Sequence, residues 1–412
     1  MKNTLIINHT SMINVGGIEK YVCRLTQYLI QNDMRVIWLC DETPRVAKSF
    51  RNIMLSNKVE RVGVKCHNLN WYKVPKMTFE KDENVVIVSF EPIEMSQTQK
   101  LLKIYKDISM KSIYIVPDTT GNRYYVERYF KGLARKIVYA KVQKAMKRWN
   151  NEGAIRFFSI TQIKPLEKNY KVTIENKQEK ILKNVFNTET LRQEKILKKA
   201  KERSPFNIIT VGRFDFPHKG YMLGLVRAFG RLKSKYPEIQ LFIIGFGKDE
   251  KKLLDEINKQ NTDVKKSITL LGEVAPDDLY KYMENMHLNI SVAGAVGDGA
   301  RNGVISIPAR NYCEGECEVY GFLPESRNLA TSLAPGKNVD EYIERVLNFS
   351  NEEFLEYTVK AYNTYKEENA DPLFVFNTVK GKTPLKVNNR ELFFFLILSY
   401  LIKIKDKMRN EK

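Results

Sequence analysis

The sequence is poor in the residues that build metal sites and disulfide frameworks. It has 5 cysteines and 4 histidines among 412 residues. Cys313 and Cys317 lie close together, but no second Cys or His pair stands near enough to complete a zinc site. We therefore predict no metal and interpret these two thiols as packing residues. The odd cysteine count and the opening MKNTLIINHTS, which lacks a secretory h-region, favour a reducing cytoplasm.

An apolar run long enough to span a bilayer is also missing near the C-terminus. The run at 392–402 is too short, but lysines and an arginine follow it at 403, 405, 407 and 409. The segment 124–149 mixes basic residues with aromatic and apolar positions, which is typical of an interfacial helix. These segments predict peripheral attachment to an anionic membrane surface on the inner face of the cell membrane. Core docking for 391–412 and a solvated helix covering the sheet for 124–149 stay open as alternatives.

Positive charge is in excess, since 68 Lys and Arg residues face 48 Asp and Glu residues, a formal net charge of +20. Such a balance predicts acidic partners: nucleic acid, a phosphate-rich substrate or an anionic membrane. No helix-turn-helix, zinc or RNA-binding-sheet signature is recognisable, so we predict no nucleic acid partner.

Strand and helix patterns alternate along the chain and predict an α/β protein with two doubly wound domains. A lysine-rich polar stretch interrupts the alternation and predicts a domain boundary. The predicted parts are an N-terminal acceptor domain, a linker, a C-terminal donor domain, helices returning toward the N-terminal domain, and a basic amphipathic tail. Their ranges are 1–187, 188–206, 207–350, 351–390 and 391–412.

The stretch VGRFDFPHKG at 211–220 places Arg213 and Lys219 between a predicted buried strand and a predicted helix. In open α/β sheets ligands bind at the carboxyl ends of strands, where the following helix offers unpaired N–H groups. The motif therefore predicts an anion site. Solvated loop charges are the alternative reading of the same two residues.

Five stretches in order resemble the group 1, or family 4, glycosyltransferases of the GT-B fold, of the bacterial surface or capsular polysaccharide type. They are Gly16-Gly17 with Glu19, VGRFDFPHKG, LFIIGFGKDEKKLLDEI, ITLLGEVAPDDLYKYMENM and GFLPESRNLATSLAPGKNVDEYIERVL. The resemblance implies two Rossmann-like domains facing a central cleft. It implies that Arg213 and Lys219 neutralise the diphosphate of a nucleotide sugar. The implied donor-binding residues also include Gly16, Gly17, Gly212, Gly245 and Glu273.

The chain departs from the family in the last donor-site segment, where two glutamates usually stand eight positions apart. In this chain Asp298 aligns with the first of these glutamates, and Ser306 occupies the position of the second. We predict that Asp298 acts with Arg213 and Lys219 in catalysis and that a polar loop binds the donor. That loop comprises Gly299, Ala300, Arg301 and Asn302; an ordinary glycine-rich turn is the alternative. Asp118, where many relatives have histidine, contacts the acceptor or caps a turn.

The resemblance implies a glycosyltransferase that moves a sugar from a nucleotide diphosphate sugar to a saccharide acceptor, free or lipid-linked, in surface or capsular polysaccharide synthesis. Fixed cations and backbone donors can stabilise the leaving phosphate without a metal, so we predict no cofactor. The resemblance also implies retention at the anomeric carbon. Because the second glutamate is missing, a catalytically silent GT-B partner subunit is the alternative.

Overall fold

The computed structural model divides the chain into two compact units. Unit 1 comprises Met1–Phe186 and Ala370–Lys412, and unit 2 comprises Asn187–Asn369. The structure describes residues 2–9, 17–41, 44–64, 76–117, 126, 129–182, 193–275, 278–326, 334–368, 373–379 and 384–410.

The strands of unit 1 are β1 (Asn3–Asn8), β2 (Arg35–Cys40), β3 (Val59–Gly63), β4 (Asn84–Ser89), β5 (Met110–Val116) and β6 (Ile155–Phe157). They form one parallel sheet in the order β3-β2-β1-β4-β5-β6. Its helices are α1 (Gly17–Gln31), α2 (Arg51–Met54), α3 (Pro92–Ile104), α4 (Gly132–Asn151) and α5 (Ile163–Tyr170), followed much later in the chain by α15 (Phe374–Asn377) and α16 (Asn389–Asn410).

Continuous apolar runs explain why these strands lie in the middle of the unit. Leu5, Ile6 and Ile7 are fully buried in β1, and consecutive residues pack into two different hydrophobic clusters. Because successive side chains of a strand point to opposite faces, both faces of the sheet must be covered. A parallel sheet with helices on both faces follows.

The strands of unit 2 are β7 (Phe206–Val211), β8 (Ile239–Ile244), β9 (Ile268–Gly272), β10 (Leu288–Ser291), β11 (Ile305–Pro308), β12 (Glu318–Val319) and β13 (Lys337–Asn338). The first five form a parallel sheet in the order β11-β10-β7-β8-β9, and β12 pairs with β13 antiparallel. Its helices are α6 (Gln193–Lys201), α7 (Tyr221–Lys235), α8 (Glu250–Asn258), α9 (Thr262–Lys266), α10 (Leu279–Met283), α11 (Gly294–Arg301), α12 (Leu323–Ser326), α13 (Val339–Leu347) and α14 (Asn351–Glu368).

Both sheets have the strand order of a doubly wound Rossmann-like fold, with the first strand of each unit beside its fourth. The prediction of two Rossmann-like α/β domains is therefore confirmed. The order of the strands reverses between β1 and β4 in unit 1 and between β7 and β10 in unit 2. Ligands of such sheets bind outside the carboxyl ends of the strands at these switch points.

The boundaries of unit 2 in the structure differ from those of the predicted donor domain, because unit 2 also includes the predicted linker and part of the predicted returning helices. The stretch 188–206 contains α6, which packs in unit 2 through the buried Ile196 and Ala200. Helix α14, at the start of the predicted returning segment, also belongs to unit 2 and buries Phe354 in its core. The apolar face of α6 was not predicted from the sequence, because the segment is rich in lysine. The basic residues occupy the other positions of the helix.

The segment 391–412, predicted as a basic amphipathic tail, lies mostly in α16, and one face of this helix is part of the unit 1 core. Phe395 and Leu398 are 1% exposed, and Phe395 stacks on Trp149 at 5.9 Å. The Glu391 carboxylate accepts hydrogen bonds from Arg148 at 2.6 Å and from Trp149 at 3.0 Å. The core-docking alternative therefore describes this face. Among the described helices, none is long and apolar enough to cross a membrane.

Candidate functional site

The switch point of unit 2 lies where β7 ends beside β10. The Val211 N–H donates to Ser291 Oγ at 3.1 Å, which joins the ends of the two strands. Arg213 and Lys219 follow β7 and precede α7, as the sequence predicted. The structure therefore places both cations in the loop that leaves the carboxyl edge of the sheet.

This loop is anchored by its apolar residues and by hydrogen bonds to the neighbouring strand end. Phe214 and Phe216 are 2% and 5% exposed. The Phe214 N–H donates to the Phe246 carbonyl at 2.9 Å, and the Phe216 N–H donates to Asp249 Oδ2 at 2.8 Å. Because the two phenylalanines point inward, Arg213 is left exposed and Lys219 half-buried.

Electrostatics at the loop favour an anionic ligand. Burial, reinforced by the charge of Arg213, lowers the pKa of Lys219 to about 7, although Asp215 opposes this change. Burial and the charges of Lys219 and Arg213 lower the pKa of His218 to about 4, so the imidazole is neutral near pH 7. An anion bound here would relieve the repulsion between the cations and favour protonated Lys219.

The glycines at the strand ends allow close backbone packing. A Cβ on Gly245 would lie 1.9 Å from the Gly212 carbonyl oxygen, and one on Gly212 would lie 2.8 Å from Met222 Cε. The Gly245 N–H donates to the Gly272 carbonyl at 2.9 Å. The backbone contact gives Gly245 a structural reason to be glycine, whereas the flexible end of Met222 could move to make room beside Gly212. Glu273 is exposed directly after β9, at the same edge of the sheet.

The segment predicted as a polar donor loop lies mostly in helix α11, and Asn302 directly follows the helix, so the segment is not a loop; its binding of the donor stays a prediction. Asp298, Gly299 and Ala300 are buried inside that helix. A Cβ on Gly299 would lie 2.3 Å from Asn289 Nδ2, so this side of the helix packs on the sheet. Asn302 Nδ2 donates to the Asp298 carbonyl at 2.7 Å.

The far end of α11 also lies away from the cations. Helix α11 links the carboxyl end of β10 to the amino end of β11, because the two strands are parallel. Arg301 and Asn302 therefore lie toward the edge opposite to Arg213. At the carboxyl edge the chain instead places Ala293, with a φ of 52°, and the first residue of α11, Gly294.

Sequence reasoning missed an aromatic contact beside the cations. The rings of His218 and Tyr312 lie 4.9 Å apart, and the Tyr312 N–H donates to the His218 carbonyl at 3.1 Å. Tyr312 has a φ of 55° and is 51% exposed. The residues are far apart in sequence, so no local pattern pointed to this pair.

The switch point of unit 1 carries a buried histidine and carboxylate pair. His9 follows β1, and its Nδ1 lies 3.0 Å from Glu94 Oε1 near the start of α3. Glu94 Oε2 accepts from the N–H groups of Phe90 and Glu91 at 3.0 and 3.1 Å. The Glu94 charge and hydrogen bond raise the pKa of His9, although burial, the largest single influence, acts in the opposite direction. Such a pair fixes the tautomer of the imidazole and can hold a proton.

The remaining predicted site residues are the glycine pair near the first strand and Asp118. Gly16 and Asp118 lie outside the described residues. Gly17 begins α1, and a Cβ built there would have no atom within 4 Å. Within the described part of the chain, no group of three or more His, Cys, Asp or Glu residues is arranged to hold a metal ion.

Comparisons with known proteins agree with the arrangement in unit 2. The family model described as glycosyl transferases group 1 matches residues 192–294. An uncharacterized glycosyltransferase of Methanocaldococcus jannaschii is 28% identical over 247 residues, which cover 58% of this chain. The alignment spans only 57% of that relative's length.

Two solved structures are similar across both units. HepE of Anabaena, in complex with UDP and glucose, has a TM-score of 0.56 and 11% identity, covering 92% of this chain and 98% of its own. The N-terminal domain of Candida albicans trehalose-6-phosphate phosphatase has a TM-score of 0.53 and 11% identity, covering 92% and 96%. At this identity the likeness shows the fold, which is of the GT-B type. The sequence matches support a group 1 glycosyltransferase.

Proposed function

We propose that the chain is a glycosyltransferase that moves a sugar from a nucleotide diphosphate sugar to a saccharide acceptor. One observation carries the proposal: Arg213 and Lys219 lie together at the carboxyl edge of a Rossmann-like sheet, at its switch point. Both residues fall within the stretch 192–294 that matches the group 1 family. An anion is the ligand that this charge pattern favours.

The chemistry proposed for these cations is stabilisation of the leaving group. When the bond between the anomeric carbon and the phosphate oxygen breaks, negative charge grows on the diphosphate, and two fixed cations lower the energy of that state. We propose retention at the anomeric carbon, with the leaving phosphate taking the proton of the incoming hydroxyl. No metal is needed for these steps. The presence of UDP and glucose in the HepE complex supports a UDP-sugar as the first donor to test.

The acceptor that we propose is a saccharide, lipid-linked, in the synthesis of a surface or capsular polysaccharide at the inner face of the cell membrane. The exposed basic residues of α4 support an anionic, membrane-bound partner. The acceptor is expected at the switch point of unit 1, where His9 and Glu94 offer a polar pair at the carboxyl edge of the sheet.

The experiment begins with a panel of UDP-, GDP-, ADP- and dTDP-sugars in a thermal-shift assay on the purified protein. A donor that binds only the folded state raises Tm. The best donor is then used, with a radiolabelled sugar, to measure transfer to oligosaccharide and lipid extracts. Lys219→Ala should lower kcat/KM about a hundredfold, the usual effect of removing one preorganised stabilising group.

Exposed Lys266 at the end of α9 supplies the matched control, since Lys266→Ala changes the same residue type just before β9, toward the amino edge of the sheet and opposite to the switch point. A protein that binds no nucleotide sugar would refute the proposal. Binding without transfer or hydrolysis of any donor would instead identify a catalytically silent partner subunit.

A further inference from the structure

Helix α16 carries apolar residues on two faces, although only one of them packs in the core. The inner face contains Phe395 and Leu398, each 1% exposed. The outer face contains large apolar side chains at helical spacing, and they are 37–62% exposed: Phe393, Ile397, Tyr400, Leu401 and Ile404. Scattered apolar residues are common on protein surfaces, but a continuous row along one helix indicates an interaction surface.

The neighbouring helix α4 extends this row. Leu133 and Ile137 are 73% and 53% exposed, one turn apart near the amino end of α4. They are among the most exposed large apolar side chains of the described residues. Their spacing of four places both on one side of the helix.

Contacts at both ends fix α16 against α4 in an antiparallel arrangement. At one end Glu391 pairs with Arg148, near the end of α4. At the other end Lys405 donates to the Tyr129 carbonyl and lies over the Phe130 ring, just before α4 begins. The exposed end of α4 therefore lies beside the later part of α16, where Leu401 and Ile404 are exposed.

The charged side chains of the neighbouring helix α4 have one sign. The first four turns of α4 contain no acidic residue, and they expose the basic side chains of Arg135, Lys136, Lys141 and Lys144. Glu391, the acidic residue at the start of α16, is bound by Arg148 and Trp149 and so does not offset them. A row of apolar side chains bordered by cations matches a layer with an apolar interior and anionic headgroups.

We infer that the outer face of α16 and the first four turns of α4 form one docking surface, which binds the plane of an anionic lipid bilayer. The apolar row enters the boundary between headgroups and acyl chains, and the α4 cations contact the headgroups. The surface lies wholly within unit 1, and the inner face of α16 stays in the core. The inference deepens the proposed function, because it names the partner that would bring a lipid-linked acceptor to the enzyme.

Vesicle flotation tests this surface without any sugar nucleotide, so its outcome is separate from that of the transfer assay. The full chain is mixed with vesicles of phosphatidylcholine alone or of phosphatidylcholine with phosphatidylglycerol. Binding to the second vesicles should exceed binding to the first and should fall as salt rises. The double variant Phe393→Ser with Leu401→Ser should lower the partition coefficient about tenfold or more, since two apolar side chains no longer enter the bilayer.

Matched variants separate the surface from general effects. Leu197→Ser with Leu254→Ser removes two apolar side chains of unit 2 that are 43% and 41% exposed, and it should bind vesicles like the wild type. Lys136→Glu with Lys141→Glu should abolish the preference for phosphatidylglycerol. Because all substituted positions are exposed, Tm should change by no more than a few degrees.

Three results would overturn the inference. The first is a wild-type protein that floats with neither vesicle. The second is a Phe393→Ser with Leu401→Ser variant that floats as well as the wild type. The third is a dimer, measured by light scattering, that the same variant dissociates while no vesicle binding is found. The surface would then be an interface between two copies of the chain.

Discussion

Replacing Lys219 with methionine is expected to stabilise the free protein and to impair sugar transfer at the same time. The reason is that burial and Arg213 lower the pKa of Lys219 from 10.5 to about 7. An unfolded chain keeps this lysine protonated up to about pH 10.5, whereas the folded chain does so only up to about pH 7. The folded state is therefore penalised in full below pH 7, and the penalty falls as the pH rises from 7 toward 10.5.

The size of the effect follows from the same pKa values. At about 1.4 kcal/mol per pKa unit, the change corresponds to at most about 5 kcal/mol. Because the side chain is half-buried and water screens its charge, we expect about 1–2 kcal/mol to be measured. In a unit of this size such a gain raises Tm by roughly 2–8 °C.

Calorimetry of Lys219→Met at pH 6 and at pH 9.5 measures this difference. The variant should melt above the wild type at pH 6, and the gap should narrow at pH 9.5. Lys219→Arg keeps a charge at the site and should show no such gain, while exposed Lys251→Met should match the wild type at both pH values. A Lys219→Met protein that melts at or below the wild-type Tm at pH 6 would refute the reasoning. In the transfer assay it should lose about a hundredfold in kcat/KM.

Three further substitutions test other parts of the structure. Gly245→Ala should lower the free energy of unfolding in urea by about 2–3 kcal/mol, since its Cβ would lie 1.9 Å from a carbonyl oxygen. Gly294→Ala, with open space around the new Cβ, should change that free energy by no more than about 0.5 kcal/mol. Equal losses in the two variants would contradict the packing argument. Glu94→Gln should lower the pKa of His9, which NMR of the imidazole measures. Protonated His9 stabilises the folded state below its unfolded pKa of 6.5, and this stabilisation is lost as the pH rises through the raised folded value. The variant should therefore lose more stability at pH 5 than at pH 9. Glu391→Ala should destabilise unit 1 by about 2 kcal/mol, because it removes the acceptor of the buried Trp149 indole N–H and one of the two carboxylates that pair with Arg148. An unchanged unfolding curve would show that α16 is not anchored there.

Part of the site was predictable because its signal is local. VGRFDFPHKG contains the end of a strand, two cations and the beginning of a helix within ten residues, so the position of Arg213 and Lys219 follows from the order of the elements. The secondary structure around Asp298 was not predictable, because the stretch GDGARNG is compatible with either a loop or a helix, and the role of Asp298 in catalysis stays a prediction. The structure shows that it forms a helix, in which Gly299 packs against Asn289 of β10.

The boundary of the units was less predictable, for a physical reason. Composition reports how many lysines a segment has, but it does not report which side of a helix they occupy. In α6 and α16 the buried positions are few, and Ile196 or Phe395 finds its partners only once distant segments have folded. A polar linker and a basic amphipathic tail were therefore reasonable interpretations of two segments that form helices with one face packed in a unit.

By itself the sequence determined the class of fold. Alternating apolar strands and amphipathic helices can bury their apolar surface only as parallel sheets covered on both faces, and that rule needs no knowledge of distant contacts. The tertiary structure alone decided which polar groups meet. His9 meets Glu94, His218 meets Tyr312, and Glu391 meets Arg148 across long stretches of chain. Such pairs depend on the register of whole elements, because a side chain's partners are set by where its strand or helix packs.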